Sequence, residues 1–266
     1  MPLEVFSILP VRLIAIAGLL FLYFVVSAGL ALVPISGSTK RRARIEVVSF
    51  FSAKLARVLG ARIGEEFRNG GAPRVAGRGT LILANHLSFL DIVAISSLRP
   101  SVFVTSVEME RAPGAGLLAK WGGSLFVERR FRTRVLEDAR SLAQVLSHGM
   151  DVVLFPEGTS GDGRNVLPFK AGLLRSAVSA DLTVQPVCVQ YETIGGRPIS
   201  GSDAERVFFS GPLTLGRHLW NILTNPEVRI TLRWLEPIPS AKGMDPCEVA
   251  GLARERVIAA FRPVES

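Results

Sequence analysis

Cysteine is nearly absent from this chain. Cys188 and Cys247 are the only two, far apart and outside any CxxC or Cys/His ligand pattern. Their scarcity excludes a disulfide framework or a zinc site and fits a reducing compartment. Acidic residues are also short, 23 against 31 Lys and Arg, giving a formal charge of +8 and a pI near 10.3. Such a chain is drawn to anionic surfaces. No nucleic-acid motif accompanies the charge, and the basic residues lie beside an apolar span. Lipid headgroups are therefore the expected partner, and nucleic acid is not. The chain has no internal repeat and no low-complexity tract. No G-x-S-x-G elbow or activated cysteine offers a covalent nucleophile.

Apolar residues are plentiful, at 48% of 266 residues. One run, residues 13–33, carries no charge and is long enough to cross a hydrocarbon core of about 30 Å as a helix. Pro34 and Gly37 end it, and Lys40, Arg41, Arg42 and Arg44 follow. The positive-inside rule then puts the rest of the chain on the cytoplasmic face of the cell inner membrane. A signal peptide fits less well, because its basic cluster should precede the apolar run. A half-inserted helix would leave the domain on the same side. Residues 45–67 read as an amphipathic helix, with Lys54, Arg57 and Arg62 on its polar side. Asn69-Gly70-Gly71-Ala72-Pro73 breaks the chain. The expected division is a membrane anchor with an amphipathic helix over 1–68 and a catalytic domain over 69–266.

Beyond the break, apolar strands alternate with helices, which predicts an α/β fold with a mainly parallel sheet flanked by helices. Strands are expected at 81–84, 102–104, 125–127, 152–155, 184–189, 207–209 and 228–234. Helices are expected at 135–146, 169–178 and 247–261. Two strands end in polar clusters. Leu81–Ala84 runs into Asn85-His86, with Asp91 five residues past the histidine. Positions i and i+5 do not share a helix face, so His86 must precede the first turn and fold back over it towards Asp91. A carboxylate on one ring nitrogen leaves the other free to take a proton. The second strand ends in Phe155-Pro156-Glu157-Gly158-Thr159. Pro156 stops the strand and Gly158 permits a tight turn, aiming Glu157, Thr159 and backbone amides at one point. Ligands gather at the carboxyl ends of strands in open α/β sheets, so both clusters are expected in one cleft. His148 and His218 lack an acidic partner at such spacing and read as surface or helix-terminal residues.

Four blocks resemble the glycerolipid acyltransferases, the family that includes 1-acylglycerol-3-phosphate acyltransferase. Asn85-His86 to Asp91 looks like its His-x4-Asp signature. Gly123-Ser124-Leu125-Phe126-Val127-Glu128-Arg129 looks like the block in which an arginine follows a short strand. Phe155-Pro156-Glu157-Gly158-Thr159 and Val184-Gln185-Pro186-Val187 resemble the third and fourth. The resemblance implies direct acyl transfer from an acyl carrier protein or coenzyme A thioester to a lysolipid hydroxyl, with no metal or other cofactor. His86 and Asp91 would be catalytic. Arg129, Glu157, Gly158 and Thr159 would bind substrate, Arg129 by gripping a phosphate and the amides near Gly158 and Thr159 by holding the oxyanion.

One residue departs from the pattern. Relatives that make phosphatidic acid usually carry arginine after Glu-Gly-Thr, where this chain has Ser160. Residues 161–170 look more like relatives that acylate lyso-ornithine lipid, whose zwitterionic head has no phosphate. Lyso-ornithine lipid is thus the expected acceptor and lysophosphatidic acid the alternative, with Arg164 a possible substitute cation. A hydrolase using the same pair on water, and a non-catalytic lipid-binding protein, are the more distant readings.

Overall fold

The computed structural model describes residues 3–70, 78–112, 114–128, 132–174, 182–225, 227–238 and 243–265. Helix α1 spans Leu3–Leu32 and contains Pro10. Helix α2, Gly37–Val58, starts at Ser36, whose hydroxyl caps it by accepting from the Thr39 amide. The helix expected over 45–67 stops at Val58. Gly60 adopts a φ of 73°, which ends helices readily. Ala61–Phe67 then forms strand β1, not a continuation of the helix.

The remaining elements are β2 (Leu81–Ala84), α3 (Phe89–Leu98), β3 (Ser101–Ser106), α4 (Val107–Glu110), α5 (Ala115–Trp121), β4 (Leu125–Val127), α6 (Arg132–Ser147) and β5 (Asp151–Leu154). Next come β6 (Val184–Ile194), β7 (Arg197–Pro198), α7 (Ala204–Val207), α8 (Leu215–Thr224), β8 (Val228–Trp234) and α9 (Pro246–Ala260). Two expectations differ. The strand expected at 207–209 is the end of α7 followed by extended chain outside the sheet. Of the helix expected at 169–178, the described part holds a short 3-10 turn at Gly172–Leu174.

The sheet order is β1-β8-β6-β2-β5-β3-β4, with β7 paired to β6. The run from β6 to β4 is parallel throughout. Strands β8 and β6 are antiparallel, and β1 joins β8 in parallel. The sheet is thus mainly parallel, as expected. Side chains alternate across it. Leu81, Leu83, Val152 and Leu154 pack under α6 and α9 residues such as Leu142, Leu146 and Ala253. Ile82, Ala84, Val153 and Val187 face Leu90, Ile95 and Trp234 on the other side. Burial on both faces explains why these strands are unbroken apolar runs.

One register matters for function. Leu83 of β2 lies opposite Leu154 of the neighbouring parallel β5. The chain therefore leaves both strands at the same sheet end, carrying His86 and Glu157 out side by side.

Candidate active site

Asn85 fixes the exit from β2. Its amide exchanges two hydrogen bonds with Val189 of β6, Nδ2 donating to Val189 O at 3.0 Å and Val189 N–H donating to Oδ1 at 2.7 Å. Ser88 then caps α3, accepting the Leu90 amide at 3.2 Å, and forms a capping box with Asp91. In that box the Asp91 carboxylate reaches back across the helix start. Its Oδ2 accepts from Ser88 N–H at 2.9 Å and Leu87 N–H at 2.6 Å. His86 Nδ1 lies 2.9 Å from the same oxygen. The five-residue spacing thus works as expected, with His86 before the first turn and folded over it. An Nδ1–H donated to Asp91 leaves Nε2 as the basic nitrogen.

The imidazole stacks on Phe155 with ring centroids 4.1 Å apart. Its side chain is 21% exposed while that of Asp91 is fully buried. The ring is therefore clamped on one edge and one face, and its Nε2 has no protein partner among the described residues.

The Phe155–Thr159 turn sits directly against this histidine. Glu157 is 3% exposed, and its Oε1 accepts the His86 amide at 3.2 Å. Its Oε2 makes no hydrogen bond among the described residues. Burial, reinforced by the nearby charge of Asp91, pushes the Glu157 carboxyl up to about 8. At neutral pH it therefore carries a proton and can donate. Gly158 has a φ of 76°, where a side chain would be strained. Its amide donates to Phe155 O at 3.2 Å to close the turn. The Gly158 N–H expected to hold an oxyanion is thus engaged within the turn, whereas Thr159 is exposed. Gly161 N–H donates to His86 O at 2.8 Å, wrapping the loop over the histidine. Arg129 lies outside the described residues.

Two residues of this site were missed in the sequence. Tyr191 of β6 donates its hydroxyl to Asp91 Oδ1 at 2.7 Å. Burial, and then the Asp91 charge, hold its phenol well above its usual range, so it remains a neutral donor. His218 was expected at the surface. It is instead fully buried, with Nε2 2.9 Å from Ser88 Oγ and its ring against Phe209 and Phe89. Burial lowers its pKa to about 4, which makes it a neutral hydrogen-bonding ring. Tyr191 sits between Gln190 and Glu192 in β6, and its sequence neighbours gave no signal. His218 had none at local spacing.

The departure at Ser160 also has a partner. Its hydroxyl donates to Phe209 O, and Phe209 N–H donates to Leu87 O at 2.8 Å. Arg164 is exposed and pairs with Asp162 across 4.0 Å. Arg254 of α9 fastens the following loop by donating to Val166 O and Leu167 O.

An oriented imidazole beside a buried, protonated carboxyl at the end of a parallel sheet is an arrangement that can exchange protons with a hydroxyl or water. Comparison with known proteins narrows the class. The family model described as Acyltransferase matches residues 64–190. A lyso-ornithine lipid O-acyltransferase of Pseudomonas aeruginosa is 36% identical over 203 residues, covering 76% of this chain and 74% of that protein. A 1-acyl-sn-glycerol-3-phosphate acyltransferase of Neisseria gonorrhoeae is 31% identical over 168 residues, covering 63% of each. The crystal structure of the 1-acyl-sn-glycerophosphate (LPA) acyltransferase from Thermotoga maritima superposes with a TM-score of 0.63 at 20% identity, over 97% of this chain and 92% of that one. The last likeness is one of fold. The chain belongs to the acyltransferase family, and it is an acyltransferase enzyme.

Proposed function

We propose that this enzyme transfers a fatty acyl group from a thioester of acyl carrier protein or coenzyme A to the hydroxyl of lyso-ornithine lipid. A lipid alcohol is a poor nucleophile near neutral pH. His86 Nε2 removes its proton as the oxygen attacks the thioester carbonyl. The C–S bond then breaks, and the imidazolium returns the proton to the departing thiolate. Asp91 holds Nδ1–H and stabilises the transient imidazolium. The protonated Glu157 sits beside the histidine as a donor to the acceptor or to the developing oxyanion. Arg129 and Thr159 complete the substrate contacts in this reading.

The observation that carries the acceptor assignment is Ser160. Where a phosphate-binding cation would stand, its short side chain is turned to the Phe209 carbonyl. That suits a headgroup without phosphate, and it agrees with the name of the Pseudomonas relative. Arg164 supports a second acceptor, lysophosphatidic acid, because an exposed guanidinium on a turn beside Gly161 and Gly163 could meet a phosphate. Either lysolipid paired with labelled acyl-ACP or acyl-CoA tests the order. Faster acylation of lyso-ornithine lipid supports it, and a clear preference for the phosphate-bearing lipid reverses it.

The membrane setting belongs to the same proposal. Among the described residues, one helix is long and apolar enough to cross a bilayer, residues Ile8–Leu32 of α1. It is also tied to the domain at two points. Arg12 Nη1 donates to Leu223 O and Asn225 O at 2.8 and 2.6 Å, and the Tyr23 hydroxyl donates to Leu118 O at 3.2 Å. Those anchors stand about 16 Å apart along a helix rising about 1.5 Å per residue. Such docking favours a helix embedded from one side, with the catalytic domain at the cytoplasmic face of the inner membrane. The cations Lys40, Arg41, Arg42 and Arg44 would then meet anionic headgroups.

A further inference from the structure

Helix α8 is two-faced. His218 and Ile222 are buried against the domain, while Leu215, Leu219 and Trp220 are 38%, 38% and 46% exposed. Leu215 and Leu219, one turn apart, lie side by side, and Trp220 stands about 100° further round the exposed side of the helix. Arg217 is exposed beside them. A ten-residue helix with leucines, a tryptophan and an arginine on its outer surface has the composition of an interfacial element.

The neighbouring element supplies the reason for that composition. Arg12 of α1 ties the carbonyls of Leu223 and Asn225, at the end of α8, to the apolar helix. On the sides of α1 turned away from that tie, Val11, Ile14 and Phe21 are 66%, 75% and 72% exposed. Helix α8 is therefore fixed beside a helix whose free sides are apolar and costly to leave in water. We propose that the outer face of α8 is a second bilayer-contact surface, with Leu215 and Leu219 in the acyl-chain boundary and Trp220 at headgroup level. Lipid, not a protein partner, fits the tryptophan, the adjacent cation and the contact with α1. The proposal rests on the reading of α1 as membrane-embedded.

A consequence follows for the site. The inner face of α8 carries His218, bonded to the Ser88 cap of the helix that bears Asp91. A bilayer-seated α8 therefore sets the catalytic turn at a fixed height above the membrane, where a lysolipid hydroxyl resides.

Trp220 is the natural probe. With Trp121→Phe, the remaining tryptophan, Trp234, is 1% exposed and serves as an internal reference. Full-length protein is mixed with phosphatidylethanolamine and phosphatidylglycerol vesicles whose acyl chains are dibrominated. The expected result is co-flotation, loss of at least about half of the Trp220 emission to bromolipid, and protection from aqueous acrylamide. The further substitution Trp220→Phe should abolish the bromolipid response. A protein that floats while Trp220 remains open to acrylamide and blind to bromolipid overturns the α8 surface alone. A protein that fails to float overturns both this surface and the embedding of α1. Acyl transfer is not read in either case, so the acceptor assignment is judged separately.

Discussion

The hydroxyl of Tyr191 donates to Asp91 Oδ1 across 2.7 Å, so the carboxylate that orients the His86 imidazole is itself held from a neighbouring strand. With Leu87 N–H, Ser88 N–H and His86 Nδ1 on the other oxygen, Asp91 meets four donors. Its position is set by β6 as much as by its own helix. Tyr191→Phe deletes one of those donors and leaves the ring packing against Phe208. Hydrogen bonds to charged groups are worth about 1.5–3 kcal/mol. Urea denaturation should show a loss of that order, and turnover should fall more than KM changes. Equal stability of the two proteins would remove Tyr191 from the network.

Glu157 gives the enzyme a stability that depends on pH. Its carboxyl titrates at about 8 in the fold against an ordinary 4.5. Because the folded value is the higher one, the fold holds the proton longer than the unfolded chain does. The contribution is fully present below pH 4.5 and is lost as pH rises towards 8. Glu157→Gln keeps a neutral, hydrogen-bonding side chain and removes the titration. Urea midpoints measured between pH 5 and pH 9 should fall for the parent and stay flatter for the variant. The difference should reach on the order of a few kcal/mol at the alkaline end. Parallel curves would mean that Glu157 is ionised in the fold.

His218 predicts the opposite slope. Burial lowers its pKa to about 4 from 6.5, so the fold prefers the neutral ring. Its contribution is present above pH 6.5 and is lost as pH falls through 4. His218→Phe removes that acid-side loss and also the bond to Ser88 Oγ. Near neutrality the variant should be less stable by about 1–3 kcal/mol, with kcat reduced and KM for the lysolipid little changed. Recovery of kcat in His218→Asn, which can still bond Ser88, would distinguish a positioning role from simple packing.

The strands that position the site were legible because their chemistry is local. Leu81–Ala84 and Val152–Phe155 are short apolar runs ended by Asn85-His86 and by Pro156-Glu157-Gly158, and parallel pairing brings two such ends together. The turn from His86 to Asp91 was legible for the same reason, since both partners of the contact lie within six residues. Strand β1 was not. Its helix-compatible pattern gives way only because Gly60 turns the chain and β8 offers a partner more than 150 residues away. Tyr191 and His218 reach the His86–Asp91 turn from 100 and 130 residues along the chain, and no spacing rule connects them to it. The clustering of His86 with Glu157 was foreseeable, whereas the use of the Gly158 amide inside its own turn depends on backbone geometry that residue types do not encode.

The account stands most directly on the rate of acyl transfer by His86→Ala, measured with labelled acyl-ACP and lyso-ornithine lipid. The same preparation would be checked for folding and for flotation with vesicles. General-base catalysis contributes about 10²–10⁴-fold, so the variant should remain folded and vesicle-bound while transfer drops by at least two orders of magnitude. Transfer at the parent rate by a folded, vesicle-bound His86→Ala protein would contradict the account.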